Sequence, residues 1–300
     1  MRPRRAAPRS RPLGDSRSPG SCKIPSNFRS ETTLDEYMSR HMVPGIEGID
    51  TRQVTRIIRE KGTMKGAIVQ GGPSIPEGLM EKIHRYEIKN PVRSVTAKQK
   101  YRVAGTGCRV ALMDFGLKRN IIRSLEKRNM DITVFPSDVS SGEILSGMFD
   151  GLVLSNGPGD PKDCKDEIQC LKEVIGKIPV FGICLGHQLA ALALGGDTEK
   201  LKYGHRGSNH PVKDLLKGNV YITSQNHGYA VIGTSLDEKE IAITHFNMND
   251  GTVEGFRHLA HPLFTVQFHP EASPGPGDTG YLFDDFQRMM KDCMKGGQHA

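Results

Sequence analysis

Tryptophan is absent from this 300-residue chain, and aromatic residues make up only 6% of it. Platforms that stack nucleic-acid bases are built from interleaved aromatics and cations, so no nucleic-acid partner is expected. No apolar run approaches the ~18 residues that a membrane helix requires. A mean hydropathy of −0.44 fits a soluble globular chain without a membrane partner. The six cysteines (Cys22, Cys108, Cys164, Cys170, Cys184, Cys293) include no C-x-x-C pair. That scatter argues for reduced thiols and a cytoplasmic setting, not a disulfide framework. A phosphate loop is missing too, since no G-x-x-x-x-G-K-[ST] spacing occurs, and no ATP site is expected in the chain.

Positive charge is concentrated where it says little about a folded body. Residues 1–20 hold six arginines against one aspartate, which is +5 of the net +7, together with Pro3, Pro8, Pro12 and Pro19. Such composition predicts a disordered tail over residues 1–23. An Arg- and Ser-rich, acid-poor start has the make-up of a transit peptide, but it lacks an apolar helical face, and a floppy extension is the plainer reading.

Length suggests two domains on the soft prior of about 150 residues each. Residues 24–100 read as a small first domain. Thr33-Leu34-Asp35-Glu36 is a capping box opening a short helix, and Asp50 caps a second, Thr51 to Lys61, stopped by Gly62. Ala67-Ile68-Val69 is a candidate strand, followed by the breaker Gly71-Gly72-Pro73. These elements are few for a closed core.

Residues 105–297 show the rhythm of an α/β domain. Strand Arg109–Met113 precedes helix Lys118–Lys127, and strands Ile132–Phe135 and Gly151–Ser155 precede helix Asp166–Ile175. Strand Pro179–Phe181 then leads into a helix from His187 to Leu194. Short apolar strands alternating with helical patterns imply a mixed, mostly parallel sheet flanked by helices. Later elements are mainly strands (Val220–Thr223, Ile241–Thr244, Val253–Phe256, Leu263–Phe268), and helix Tyr281–Met294 closes the chain. Ligand and catalytic groups of such folds gather at the carboxyl ends of the strands.

Gly182-Ile183-Cys184-Leu185-Gly186-His187-Gln188 falls at one such end. G-x-C-x-G is the thiol form of the nucleophile elbow, whose glycines permit a sharp turn and leave one side chain exposed. A free cysteine is ordinarily a small buried hydrophobe; the two glycines and the strand–turn–helix setting make this one a nucleophile candidate. About 85 residues later stands His269-Pro270-Glu271. In extended chain the two acid–base side chains point to one side, so Glu271 can hold the imidazole of His269 in the tautomer that accepts a thiol proton. Ser155-Asn156-Gly157-Pro158-Gly159-Asp160-Pro161 is either a rigid turn or half of an oxyanion hole, completed by the N–H of Leu185. His205 and His210 invite a metal reading, but no third ligand stands nearby, so structural or surface roles and no metal site are expected. Gln225-Asn226-His227-Gly228-Tyr229 offers amides and backbone to a polar substrate.

G-I-C-L-G-H-Q together with H-P-E is the signature of the class I (triad) glutamine amidotransferases, which the chain resembles. Within them it resembles the small, glutamine-hydrolysing subunits of carbamoyl phosphate synthetase. The likeness rests on Leu154–Pro161, Asn209-His210-Pro211-Val212-Lys213-Asp214, Gln225–Val231, His269–Pro276 and Gly45-Ile46-Glu47-Gly48-Ile49-Asp50-Thr51-Arg52, and it spans residues 25–295. It implies Cys184 as nucleophile, His269 as general base and acid, and Glu271 as orienter. It places glutamine against Gly157, Gly159, Leu185, Gln188, Asn226, Gly228 and Tyr229. It also implies a hetero-oligomer with the large subunit of carbamoyl phosphate synthetase. That subunit uses ATP and Mg, while no cofactor belongs to this chain. In the family the first domain begins with a further strand-rich stretch carrying a serine that helps bind glutamine; nothing here matches that serine. Two other readings follow: the glutaminase of another pathway, and a non-catalytic docking or regulatory subunit.

Overall fold

A computed structural model describes residues 24–69, 74–272 and 277–296. The tail 1–23, the breaker Gly71-Gly72-Pro73 and the stretch Ser273–Pro276 lie outside the described residues. The chain divides into two units between Tyr86 and Glu87.

In the first unit the capping signals act as the sequence predicts. Helix α1 (Leu34–Arg40) starts with a reciprocal box: Glu36 N–H donates to Thr33 Oγ1 (3.2 Å) and Thr33 N–H to Glu36 Oε2 (3.0 Å). Helix α2 (Thr51–Lys61) is capped by Asp50, whose Oδ1 accepts from Gln53 N–H at 2.9 Å. Gly62 ends it at φ +84°, where only glycine is free of Cβ strain. Helix α3 (Leu79–Arg85) follows, and none of the three buries a residue. Ala67–Val69 forms no strand. A strand is held by its ladder, and the described residues of this unit supply no second strand to pair with it.

The second unit is a sheet between two helical layers. It begins with α4 (Pro91–Val95), so residues 87–100, grouped with the first domain on sequence grounds, pack here; Pro91 and Val92 are buried. The ten strands are β1 (Tyr101–Val103), β2 (Arg109–Asp114), β3 (Asp131–Pro136), β4 (Gly151–Leu154), β5 (Val180–Ile183), β6 (Thr198–Asp214), β7 (Val220–Val231), β8 (Ile241–Asn247), β9 (Val253–His258) and β10 (Leu263–Val266). Their order is β1-β3-β2-β4-β5-β10-β9-β7-β6-β8. The block β3-β2-β4-β5-β10 is parallel, and β1 and the β9–β8 side are antiparallel. Because β8 also pairs with β9, strands β9, β7, β6 and β8 close on one another.

Alternation along the parallel strands serves both faces. Val110 and Leu112 join Phe181 and Ile183 on the side of α5 (Arg119–Glu126) and α9 (Tyr281–Gly296), which contribute Ile121, Leu125, Phe283 and Phe286. Ala111, Met113, Leu152 and Leu154 meet α7 (Lys165–Val174) and α8 (Leu185–Ala193) on the other. Phe181 stacks on Phe264 (ring centroids 4.6 Å) and takes Phe283 edge-on at 5.5 Å.

The largest departure from the sequence pattern is the β6–β7 hairpin. Strand β6 runs 17 residues where none is predicted, and β7 extends to Val231, beyond the predicted Thr223. Glycines, Pro211 and polar residues hide the period-2 signal. Register shifts at Lys200/His205 and Gly207/His210 break it further.

Candidate active site

Cys184 links β5 to α8 with φ +55° and ψ −100°, a conformation that a non-glycine residue keeps only when its surroundings enforce it. The enforcing contacts are visible. Cys184 N–H donates to Val266 O (2.8 Å), and Gly186 N–H to Ser155 O (3.1 Å). A Cβ on Gly182 would stand 2.8 Å from Gly186 O, and one on Gly186 would reach 2.5 Å from Leu154. Both glycines are therefore required for strand, turn and helix to pack so closely. The sulfur sits at the N-terminus of α8, where first-turn N–H groups lack helical acceptors.

His269 and Glu271 follow β10. Glu271 Oε1 lies 2.9 Å from His269 Nδ1, with both side chains almost wholly buried. Backbone bonds fix the pair: His269 N–H donates to Ser224 O (3.0 Å), and Asn120 Nδ2 donates to Glu271 O (3.2 Å). Burial alone would depress the imidazole pKa, but the neighbouring Cys184 and Glu271 outweigh it and raise it to about 9. Burial pushes the other way on Glu271, and the His269 bond and charge, with Lys118 Nζ 3.7 Å away, hold its carboxyl below the usual range. His269 Nε2 is buried without a hydrogen bond. It is the ring nitrogen left for Cys184, the neighbour that acts on the imidazole most strongly after burial.

The remaining sequence candidates surround this core. Gly157 packs under Phe115 and Leu185, and Gly159 adopts φ +100° against Pro91. Asn156 ties the loop to β2's end, donating to Gly116 O (2.9 Å) and accepting from Lys118 N–H (3.1 Å). Gln188 is committed to the frame, its Nε2 donating to Tyr229 O (2.8 Å) and Gln267 Oε1 (2.9 Å). Tyr229 has its hydroxyl beside Asp160, where burial and that carboxylate raise its pKa. A cavity of about 600 Å³ opens on the His269–Glu271 side, lined by Lys118, Asn120, Ser224, Asn226 and Ala272 among others. Cys184, Gly157, Gly159, Leu185 and Gln188 do not line it.

The His205–His210 pair has more company than the sequence suggests. Register places His205 directly across from His227, and Glu254 on β9 joins them. Strand pairing thus gathers His227 and Glu254 about His205, a grouping that spacing does not reveal and that leaves His210 out.

Comparison with known proteins bears on this geometry. The family model "Glutamine amidotransferase class-I" matches residues 111–289, and "Carbamoyl-phosphate synthase small chain, CPSase domain" matches residues 20–68. The carbamoyl phosphate synthase small chain of Bacillus caldolyticus is 52% identical over 279 residues, 93% of this chain and 76% of that one. The pyrimidine-specific small chain of Bacillus subtilis is 50% identical over 278 residues, 92% of this chain and 76% of its own length.

The chain belongs to the carbamoyl phosphate synthase small chains.

The fold has relatives beyond them. A Thermoplasma acidophilum protein, provisionally assigned to GMP synthase as one of its subunits, superposes with a TM-score of 0.57 at 24% identity, covering 64% of this chain and 98% of that one. Elsewhere in this small chain the buried thiols are unsuited to chemistry. Burial, with Glu167 next in weight, pushes Cys164 up to about 12; burial and Glu173 push Cys170 to about 11. Lys118 and Asn120 are site residues that motif reading passes over. Their signal is position, just past β2 on the sheet edge where Cys184 and His269 also lie. Among the described residues no helix is long and apolar enough to cross a membrane.

Proposed function

We propose that Cys184 attacks the side-chain amide carbon of glutamine while His269 moves the proton. The C–N bond breaks as the imidazolium of His269 protonates the leaving nitrogen, which departs as ammonia and leaves a thioester. Water, deprotonated by His269, cleaves that thioester to glutamate and the free thiol. Glu271 holds Nδ1–H throughout, so that Nε2 faces the reacting groups. The N–H of Leu185 and the loop Gly157–Gly159 stabilise the oxyanion in both steps. Asn226, Gly228 and Tyr229 hold the polar end of the substrate, and Gln188 supports their strand. The ammonia serves a large carbamoyl phosphate synthase subunit, which joins it to bicarbonate using ATP and Mg. Its product feeds pyrimidine and arginine synthesis. In this reading the small chain needs no cofactor and works in the cytoplasm as part of a hetero-oligomer.

The observation that carries the reading is a cysteine at positive φ on a helix N-terminus beside a buried histidine–glutamate pair. Its test is ammonia release from glutamine by the chain mixed with a large subunit, ATP and bicarbonate. Cys184→Ser is expected to lower glutamine-dependent synthesis at least about 10³-fold while synthesis from added ammonia persists. Equal loss of both would remove Cys184 from the reaction.

A further inference from the structure

The ring of strands β6, β7, β8 and β9 encloses polar groups that the glutaminase reaction does not use. His205 on β6 and His227 on β7 are cross-strand partners, their ring centroids 4.8 Å apart. Glu254 on β9 completes the group: one ligand atom from each of the three side chains lies within 4.8 Å of the others, and all three residues are buried. Two of their nitrogens, His205 Nδ1 and His227 Nε2, are buried without a hydrogen bond. The nearest carboxylate oxygen to His205 Nδ1 is Glu254 Oε1, at 3.6 Å.

The outer atoms of the same side chains are all engaged. His205 Nε2 lies 2.7 Å from Asp250 Oδ2, and His227 Nδ1 lies 2.7 Å from Tyr229 O. Glu254 accepts from Asn247 Nδ2 (2.9 Å) at one oxygen and from Gln225 Nε2 (2.8 Å) at the other. A carboxylate behind one imidazole, a backbone carbonyl behind the other and amides on the ligating carboxylate are the arrangement that orients ligands around a metal ion. The two inner imidazole nitrogens alone are left without a partner, and Glu254 Oε1, which keeps a second lone pair beside its Asn247 bond, lies with them within 4.8 Å.

We propose that His205, His227 and Glu254 bind a zinc ion. A proton on His205 would balance the buried charge of Glu254 but would give His227 Nε2 no partner. A divalent ion gives both unpartnered nitrogens a partner at once and compensates the carboxylate beside them, and buried charge requires such compensation. Two imidazoles and one carboxylate suit zinc by ligand type. Tetrahedral zinc sets its ligand atoms ~3.4 Å apart, so the 3.6 Å His205–Glu254 pair is already in place. His227 closes the set by a small ring movement, and water takes the fourth position. The ion is structural. It pins β7 at His227, between Asn226 and Gly228, to its two neighbouring strands, and it takes no part in the chemistry at Cys184.

The test uses the full chain, expressed without an affinity tag in zinc-supplemented medium and carrying Cys184→Ser so that the reactive thiol contributes nothing. Metal content by plasma mass spectrometry is expected to be about one zinc per chain, with a melting temperature that falls on chelation and recovers with added zinc. Glu254→Gln should remove most of that zinc. Asp250→Asn, which deletes no ligand and lies at the surface, should weaken zinc affinity about 10- to 100-fold. Absence of zinc from the parent, with no thermal response to added zinc, would overturn the site. So would zinc retained undiminished in both Glu254→Gln and Asp250→Asn. Zinc present only when Cys184 is intact would assign it to the catalytic thiol and equally overturn the proposal.

Discussion

The pyrrolidine ring of Pro91 fills the space that a β-carbon on Gly159 would need. Helix α4 thus backs directly onto the loop assigned to the oxyanion. It is held there by Arg93, paired with Asp138 at 2.7 Å and reaching Asp166 and Glu167 at 3.4 and 3.7 Å. At its end Thr96 Oγ1 donates to the backbone carbonyl of Asp114 and Ala97 N–H to Asp114 Oδ2, while Asp114 Oδ1 accepts from Gly116 and Leu117 N–H.

Gly159→Ala therefore meets two obstacles, the Pro91 ring and a backbone at φ +100°. Loss of an oxyanion donor costs about 10²- to 10³-fold in kcat, and a drop of that order in glutamine hydrolysis is expected. Adding Pro91→Ala should restore only part of it, because the backbone obstacle persists. Steady-state kinetics on the single and double variants measure this, and an unchanged kcat in Gly159→Ala would remove the loop from the oxyanion site.

The elbow stores strain at Cys184, whose φ of +55° combined with ψ of −100° is a conformation that glycine adopts more readily than any other residue. Cys184→Gly and Cys184→Ala both abolish the nucleophile, yet they should differ in stability. The glycine variant is expected to be the more stable by about 1 kcal/mol after its larger unfolded-state entropy is subtracted. Urea denaturation of the pair reports the difference; a more stable alanine variant would show the turn to be relaxed.

Two histidines set opposite limbs of the pH–stability curve. His269 has its folded pKa raised to about 9. The stabilisation it brings is complete below the unfolded pKa of ~6.5 and is lost as pH rises through about 9. The advantage of the parent over His269→Asn should thus shrink between those values, and shrink less in a Cys184→Ala background. His187, whose Nδ1 meets Thr265 Oγ1 at 2.7 Å, is lowered to about 3 by burial, with His227 and His245 adding to it. Neutral in the fold, it contributes stability above the unfolded pKa that is lost as pH falls toward 3. His187→Asn should flatten the acid limb. Melting temperatures measured across pH would contradict both assignments if the variants kept the parent's slopes.

Legibility in the sequence followed the strength of local signals. The parallel strands, buried on both faces, read as unbroken apolar runs, and β2, β4 and β5 lie within a few residues of their predicted bounds. Caps at Thr33 and Asp50 were plain because a cap is a local event. The elbow was plain for the same reason, with two glycines bracketing one cysteine. Strand β6 was invisible, since its structure comes from pairing with β7 through two register shifts and not from its own residues. The grouping of His227 and Glu254 with His205 is not legible in the sequence, because sheet pairing, not spacing, brings them together. Ala67–Val69 has the composition of a strand but no partner strand among the described residues of its unit.

Helix α8 is enclosed by protein from Leu185 to Ala191. A segment without a solvent face cannot fray by itself, so its amide protons exchange only when the second unit opens as a whole. The thiol accordingly has the lifetime of the fold for its clock. Faster adjustment, such as a partner could impose on turnover, is left to the loop around Gly159 and the turn that carries Glu271.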